Sequence, residues 1–188
     1  EDALPTGRTG HPWLTGATEL ADGGWVFTGR LTLAGQPWLA DHVVLDTAVV
    51  PGTALLDLVL AAAGRTGAAG IGELTLSRPM VLADAVHVQV RVGPLDDGQR
   101  TVGLHSREGT TGPWSTHAEG VLLDTFGPDP VDLTAPGLPE VDLTGFYEGF
   151  AAEGVDYGPA FQGLRAAWRR DGELYAEVIP ELLEILPK

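Results

Sequence analysis

The chain has 188 residues, of which 44% are hydrophobic, and its 26 acidic residues outnumber the 11 basic ones for a net charge of −15. This composition indicates a globular protein with an apolar core, and it argues against nucleic acid or an anionic membrane as a partner, because both attract clustered Lys and Arg. With no cysteine, no apolar run long enough to span a membrane and no signal-peptide pattern at its N-terminus, the chain is predicted to be cytoplasmic and to use neither disulfides nor thiolates.

Alternating apolar residues in the first two thirds of the chain predict β-strands. In one of these segments four valines share a face, which directs His87 to the opposite face. Asp97-Gly98 is typical of a tight hairpin turn between two strands. The predicted strands cover residues 23–33, 81–92 and 113–124.

One segment among the strands, Pro51–Ala63, predicts a helix. Proline suits the first turn of a helix, Thr53 is a candidate cap, and Gly64 is a candidate stop. The segment is apolar nearly all round, which is typical of a buried helix. One buried helix among antiparallel strands predicts an α+β fold in which a sheet wraps around a central helix.

The last third of the chain begins with a proline-rich stretch without a sustained period, which is typical of a linker. It is followed by a short helix candidate at 145–154, a Gly/Pro turn at 156–163 and a predicted strand at 164–180. No tandem repeat is present. The predicted organisation is a first unit at 1–124, a linker at 125–143 and the beginning of a second unit at 144–188.

Two motifs and their order identify a family. His42 and Pro51 match a His-x-x-x-Gly-x-x-x-x-Pro motif, and Tyr157–Phe161 reads Tyr-Gly-Pro-x-Phe. Together with "HPWL" at 11–14, "PWLADH" ending at the same histidine and "HAEG" at 117–120, this pattern resembles the dehydratase domains of modular type I polyketide synthases. The resemblance extends from about residue 10 to residue 180.

The resemblance implies a double hotdog fold, in which each half is a curved antiparallel sheet around one helix. It implies elimination of water from a 3-hydroxyacyl thioester to give a 2-enoyl thioester. The substrate would be delivered on the phosphopantetheine of an acyl carrier protein, with no further cofactor and no metal. The other implied partners are neighbouring polyketide synthase domains and a second copy of the chain, in a homodimer.

By the same resemblance, His42 is the general base that removes the proton alpha to the thioester. The helix N-terminus at Gly52 and Thr53 would supply backbone N–H donors to the thioester oxygen, and Pro51 and Gly52 are counted among the substrate-binding residues. Tyr157, Gly158 and Pro159 would bind substrate near the entrance to its channel, although packing of the loop is an equally open role for the tyrosine. These positions, with the one discussed next, make up the predicted site.

The sequence departs from the family pattern in two places. Asp46 stands where the motif has glycine; it could contact substrate, but exposure to solvent or capping of the next helix is favoured. The family's acid, an aspartate in an Asp-x-x-x-Gln/His motif of the second hotdog, has no match, and none of Asp156, Glu181 and Glu184 is assigned its role. The chain alone is therefore expected to lack the proton donor.

Two alternatives stay open. The chain could be a non-catalytic hotdog module that serves dimer contacts or holds an intermediate, or a dehydratase-like isomerase or cyclase. Three further histidines, His11, His105 and His117, have no metal-ligand spacing and are expected to be structural or exposed. Candidate contacts to a carrier protein are Arg165, Arg169 and Arg170.

Overall fold

The computed structural model describes residues 9–125, 127 and 137–179. The chain divides into two compact units, one formed by Glu1–Gln36 with Val49–Gly127 and the other by Pro37–Ala48 with Pro128–Lys188. The second unit therefore includes residues 37–48, the segment that carries His42. Nothing in the sequence pattern indicates that this segment belongs to the second unit. Glu181 and Glu184 lie outside the described residues, as does most of the predicted linker.

Antiparallel strands dominate the secondary structure. No helix in the described part of the chain is both long and apolar enough to cross a membrane. In chain order the helices and strands are β1 (Leu14–Glu19), β2 (Trp25–Thr32), β3 (His42–Val44), β4 (Thr47–Val50), α1 (Gly52–Thr66), β5 (Gly70–Leu76), β6 (Met80–Val81), β7 (Ala85–Val92), β8 (Gln99–Glu108), β9 (Ser115–Leu123), α2 (Phe146–Ala152), β10 (Val155–Tyr157), β11 (Leu164–Arg170) and β12 (Glu173–Val178).

The first unit is built on a six-stranded antiparallel sheet with the order β1-β2-β7-β8-β9-β5. Alternate residues of β7 and β8 are buried, as period-2 patterning requires. Helix α1 packs against β5, β7 and β8. One face of the helix is buried, while Leu56 and Leu60 on the other face are 39% and 47% exposed. This is the predicted α+β architecture, a sheet packed around one long helix.

Helix α1 begins at Gly52, one residue after the predicted start, but its predicted end is wrong. The helix continues to Thr66, and Gly67 ends it in the left-handed conformation with φ of 77°. Gly64 is an interior residue, because the N–H groups of Gly67 and Ala68, which follow the last helical residue, donate to the Ala63 carbonyl. No side chain caps the N-terminus, so Thr53 does not act as a cap.

The predicted strands 23–33 and 113–124 correspond to β2 and β9, whereas the predicted strands 81–92 and 164–180 each miss a break in the chain. Asp97 and Gly98 both have positive φ and form the predicted two-residue turn between β7 and β8. The predicted strand 81–92 is interrupted, because only its last eight residues, as β7, join the sheet. The predicted strand 164–180 is a hairpin, since Asp171 and Gly172 form a second turn with positive φ between β11 and β12.

The second unit joins segments that are distant in the sequence. Strand β3 pairs antiparallel with β10 and, through Val43 and Val44, with the first residues of β4. The described end of the predicted linker lies along β11, because Arg169 N–H donates to the Pro139 carbonyl and Val141 N–H to the Ala167 carbonyl. Pairing of β3 with β10 sets the first motif beside the second.

Candidate active site

His42 stands at the start of β3, directly after a 3₁₀ turn formed by residues 37–41. In the register of β3 with β10, His42 is the partner of Tyr157. The imidazole is partly buried, with its ring centroid 5.6 Å from that of Tyr157 and 5.3 Å from that of Phe161. The structure thus brings together the histidine of the first motif and both aromatic residues of the second.

Further aromatic rings surround this contact. The Trp38 ring lies 5.8 Å from Phe161, and the rings of Tyr147 and Phe150 lie 6.2 and 5.7 Å from Tyr157. Aromatic side chains have few rotatable bonds and pack edge to face, so they hold their shape when they line a site. We call these five residues the aromatic cluster: Trp38, Tyr147, Phe150, Tyr157 and Phe161.

Asp41, which is not among the predicted site residues, connects the two motifs directly. Its carbonyl accepts a hydrogen bond from Gly158 N–H at 2.7 Å, and its carboxylate oxygen Oδ2 accepts one from Ala160 N–H at 2.9 Å. The residue before His42 therefore fixes the backbone of the loop that carries Tyr157 and Phe161. Nothing in its local sequence signals this, because the partners lie more than 115 residues along the chain.

Gly158 is required by space and not by its backbone angles. Its φ of −71° and ψ of −179° are open to any residue. A Cβ atom at this position would stand 2.6 Å from Cγ and 2.7 Å from Cβ of Asp41, well inside van der Waals contact. Pro159 then begins a single 3₁₀ turn. The side-chain amide of Gln162, which follows this turn, donates to the Tyr157 carbonyl at 2.7 Å and so fixes the end of the turn.

The hydroxyl of Tyr157 hydrogen bonds to no residue in the described part of the chain, whereas the hydroxyl of Tyr147 accepts a bond from Leu164 N–H at 2.9 Å. The hydroxyls of the two tyrosines therefore differ in their hydrogen bonding. Tyr147 uses its oxygen to hold β11, and Tyr157 keeps a phenol that can bond to a ligand.

Asp46 lies at the other end of β3 from His42. With Leu45 it forms the two-residue turn between β3 and β4, and the two φ angles are 48° and 61°. Positive φ at both central residues is the requirement of a type I′ turn. The Asp46 side chain is exposed, as favoured from the sequence, and the motif glycine that it replaces would serve the same backbone conformation.

Pro51 and Gly52 belong to the first unit, where they begin α1. The Pro51 carbonyl accepts the first hydrogen bonds of the helix, from Ala54 and Leu55. Pro51 is buried and Gly52 is exposed. Their predicted role in binding the thioester stays a prediction.

His11, His105 and His117 have structural partners within the first unit. His11 Nε2 lies 2.9 Å from the Asp57 carboxylate on α1, and His105 bonds to the Thr116 hydroxyl. His117 is the most buried, between the Ser106 hydroxyl at 2.7 Å and the Arg78 carbonyl at 3.1 Å. Burial lowers the pKa of His117, and the hydrogen bond to the Arg78 carbonyl opposes this shift in part. A neutral imidazole, donating from Nδ1 and accepting at Nε2, satisfies both partners.

Comparison with protein families gives two matches that together cover most of the chain. The model of the polyketide synthase dehydratase domain matches residues 11–107, and that of the polyketide synthase dehydratase N-terminal domain matches residues 126–183. Both motifs of the candidate site fall within the matched regions. The first match alone spans just over half of the chain.

Relatives among known proteins agree with these matches. The polyketide synthase GfsB of Streptomyces halstedii is 49% identical over 89% of this chain, and the pikromycin polyketide synthase component PikAII of Streptomyces venezuelae is 45% identical over 92%. The chain spans only 3% and 5% of the length of these two relatives.

Solved structures extend the agreement to the fold. A dehydratase structure from work on the borrelidin and fluvirucin polyketide synthases is 43% identical, with a TM-score of 0.86 over 94% of this chain and 68% of that one. The CurK dehydratase, solved as an inactive mutant with a histidine replaced by phenylalanine, is 25% identical, with a TM-score of 0.78 over 92% of this chain and 65% of that one. The chain belongs to the polyketide synthase dehydratase domain family and has its hotdog fold.

Proposed function

We propose that this chain takes part in the elimination of water from a 3-hydroxyacyl thioester carried on an acyl carrier protein, giving a 2-enoyl thioester, with His42 as the general base. The imidazole would remove the proton alpha to the thioester, and the hydroxyl would leave from the adjacent carbon as it is protonated. The Tyr157 phenol would hydrogen bond to the substrate, and Gly158 and Pro159 would shape the loop that carries it.

The observation that carries this proposal is the position of the His42 ring against Tyr157 and Phe161. A base that acts on a weak carbon acid must be held at a fixed distance and orientation relative to the hydrogen that it removes, because this positioning contributes much of the rate. Apolar rings on two sides restrict the imidazole and keep water from competing for it. The inactivity of the CurK dehydratase when a histidine becomes phenylalanine supports a histidine base in this family.

The proposed partners follow from the reaction and from the relatives. An acyl carrier protein would deliver the substrate on its phosphopantetheine, and neighbouring polyketide synthase domains would supply the 3-hydroxyacyl chain, in a homodimeric assembly. With a net charge of −15, the chain cannot attract an acidic carrier by its overall field. Attachment within one polypeptide would raise the local concentration instead, with Arg165, Arg169 and Arg170 as candidate local contacts.

The test is turnover of a 3-hydroxyacyl thioester by the polypeptide that carries this chain, in the wild type and in His42→Ala. We expect the variant to lose activity by at least about 10²-fold, the usual contribution of a positioned general base. His87→Ala is the matched control, because His87 lies on β7 of the first unit and its side chain has no hydrogen bond, ion pair or ring contact among the described residues. Equal rates for His42→Ala and the wild type would refute the assignment.

The products separate the alternatives. Dehydration converts the 3-hydroxyacyl thioester to a 2-enoyl thioester and water. An isomerase would move the double bond of an enoyl thioester, and a cyclase would add a distal hydroxyl of the acyl chain to the 2-enoyl double bond, closing an oxygen heterocycle with no change in formula. A wild-type polypeptide that binds the acyl carrier protein but leaves the thioester unchanged would favour a non-catalytic module.

A further inference from the structure

We propose that Asp41 is a positioning residue for His42, which acts by fixing the loop 157–161 against the imidazole. This inference rests on the proposed function for its effect on turnover, but the geometry it describes can be measured without turnover. Asp41 belongs to neither motif of the predicted site.

A pair of hydrogen bonds joins Asp41 to the loop. The Asp41 carbonyl and carboxylate accept from Gly158 N–H and Ala160 N–H at 2.7 and 2.9 Å. Two bonds from one residue, on either side of Pro159, fix both the position and the rotation of the loop. The bond to Ala160 is charge-assisted, and such bonds are roughly twice as strong as neutral ones.

Close packing at Gly158 also holds the loop against Asp41. The absence of a Cβ there lets the loop approach the Asp41 side chain directly, since a Cβ would stand within 2.8 Å of Cβ, Cγ and Oδ1 of Asp41. The contact is therefore specific to this pair of residues, and the loop has no room to slide along the Asp41 side chain.

The loop is in turn joined to the proposed base by the pairing of β3 with β10. Asp41 is covalently joined to His42, and Tyr157 is the strand partner of His42 in the register of β3 with β10. Movement of the loop would carry the rings of Tyr157 and Phe161 away from the imidazole. Asp41 itself would not touch the substrate, so its role is distinct from acid or base catalysis.

The experiment compares Asp41→Ala, which removes the carboxylate acceptor, with Asp41→Asn, whose amide oxygen can still accept from Ala160 N–H. Asp156→Ala is the matched control, because Asp156 is an exposed aspartate of β10 with no side-chain partner among the described residues. We expect kcat to fall about 10- to 100-fold in Asp41→Ala with a smaller change in KM, and to stay within a few-fold of the wild type in Asp41→Asn and Asp156→Ala.

A second measurement does not depend on activity. Proton NMR should show cross-relaxation between the His42 ring and the rings of Tyr157 and Phe161 in the wild type and in Asp41→Asn, and its loss in folded Asp41→Ala. Retained ring contacts in Asp41→Ala, or an Asn variant as impaired as the Ala variant, would overturn the proposal. If the ring contacts follow this pattern but no protein dehydrates the thioester, the positioning role stands and the proposed function fails.

Discussion

Replacing Gly158 by alanine tests the close packing between the two motifs with a single methyl group. The backbone angles of Gly158 suit alanine, so the substitution adds no conformational strain. Its whole effect must come from the new Cβ, which would stand 2.6 Å from Asp41 Cγ, whereas carbon atoms in contact normally lie about 3.5–4.0 Å apart. The loop must therefore move by about 1 Å relative to Asp41, or the clash must be tolerated.

Both responses should lower the free energy of unfolding by a similar amount. If the loop moves away, it loses two hydrogen bonds of about 1 kcal/mol each, somewhat more for the bond to the carboxylate. If it stays, overpacking costs about 1–3 kcal/mol. We therefore expect Gly158→Ala to lower the free energy of unfolding by about 2 kcal/mol. A displacement of about 1 Å beside a catalytic group also predicts a loss of turnover on the order of 10²-fold.

Gly149→Ala is the matched control, because it makes the same chemical change in the same unit. Gly149 is an exposed interior residue of α2, and a Cβ there meets no atom within 4 Å. Alanine in a helix is more favourable than glycine by about 0.5–1 kcal/mol, so this variant should be stabilised. Urea unfolding followed by tryptophan fluorescence, with kinetics on the same samples, measures both effects. If the two variants show equal stability and equal turnover, the packing argument at Gly158 is wrong.

Three further changes test other parts of the structure. Burial lowers the pKa of His117 from its ordinary value of 6.5, so the unfolded chain binds a proton more readily than the folded one, and stability should fall as pH drops below about 6.5. His117→Gln should remove that part of the pH dependence, as measured by thermal unfolding between pH 5 and 8. Asp46→Gly should leave turnover unchanged and raise stability by at most about 1 kcal/mol, because the φ of 61° at this position favours glycine. A large fall in kcat in the same thioester assay would instead show a catalytic role for the Asp46 carboxylate. Gly120→Ala should destabilise the sheet by about 3 kcal/mol in urea unfolding, since the new Cβ would lie 2.1 Å from the Glu73 carbonyl oxygen on the neighbouring strand. A variant that unfolds at the same urea concentration as the wild type would contradict the β5–β9 pairing.

The strands that could be predicted from the sequence are those whose burial follows period 2 over many residues. Strand β7 is the clearest, because its four buried valines alternate with more exposed residues. Strand β1 was not predicted, since "LTGATE" holds small and polar residues whose burial depends on the neighbouring β2. The end of α1 shows a related limit. Gly64 and Gly67 are equally good stop signals in the sequence, and only the hydrogen bonds to the Ala63 carbonyl decide between them.

The candidate site could be predicted only in part. The resemblance to a family supplied His42 and Tyr157, and their pairing across β3 and β10 follows from the fold and not from their spacing. Asp41 could not be found in this way, because a single aspartate in "WLADH" has no periodicity, and its role depends on amide groups 117 and 119 residues further along the chain. Residues that position a site through backbone contacts leave little trace in one sequence.

The aspartate at the glycine position of the first motif bears on whether the chain is catalytic. A glycine in such a motif can be required by substrate contact or by backbone conformation. Here the position is the second residue of a two-residue turn with φ of 61°, and the side chain is exposed at the far end of β3 from His42. Aspartate is among the few residues other than glycine that adopt this conformation readily. The substitution therefore preserves the turn that ends β3, and by itself it is no argument for a non-catalytic module.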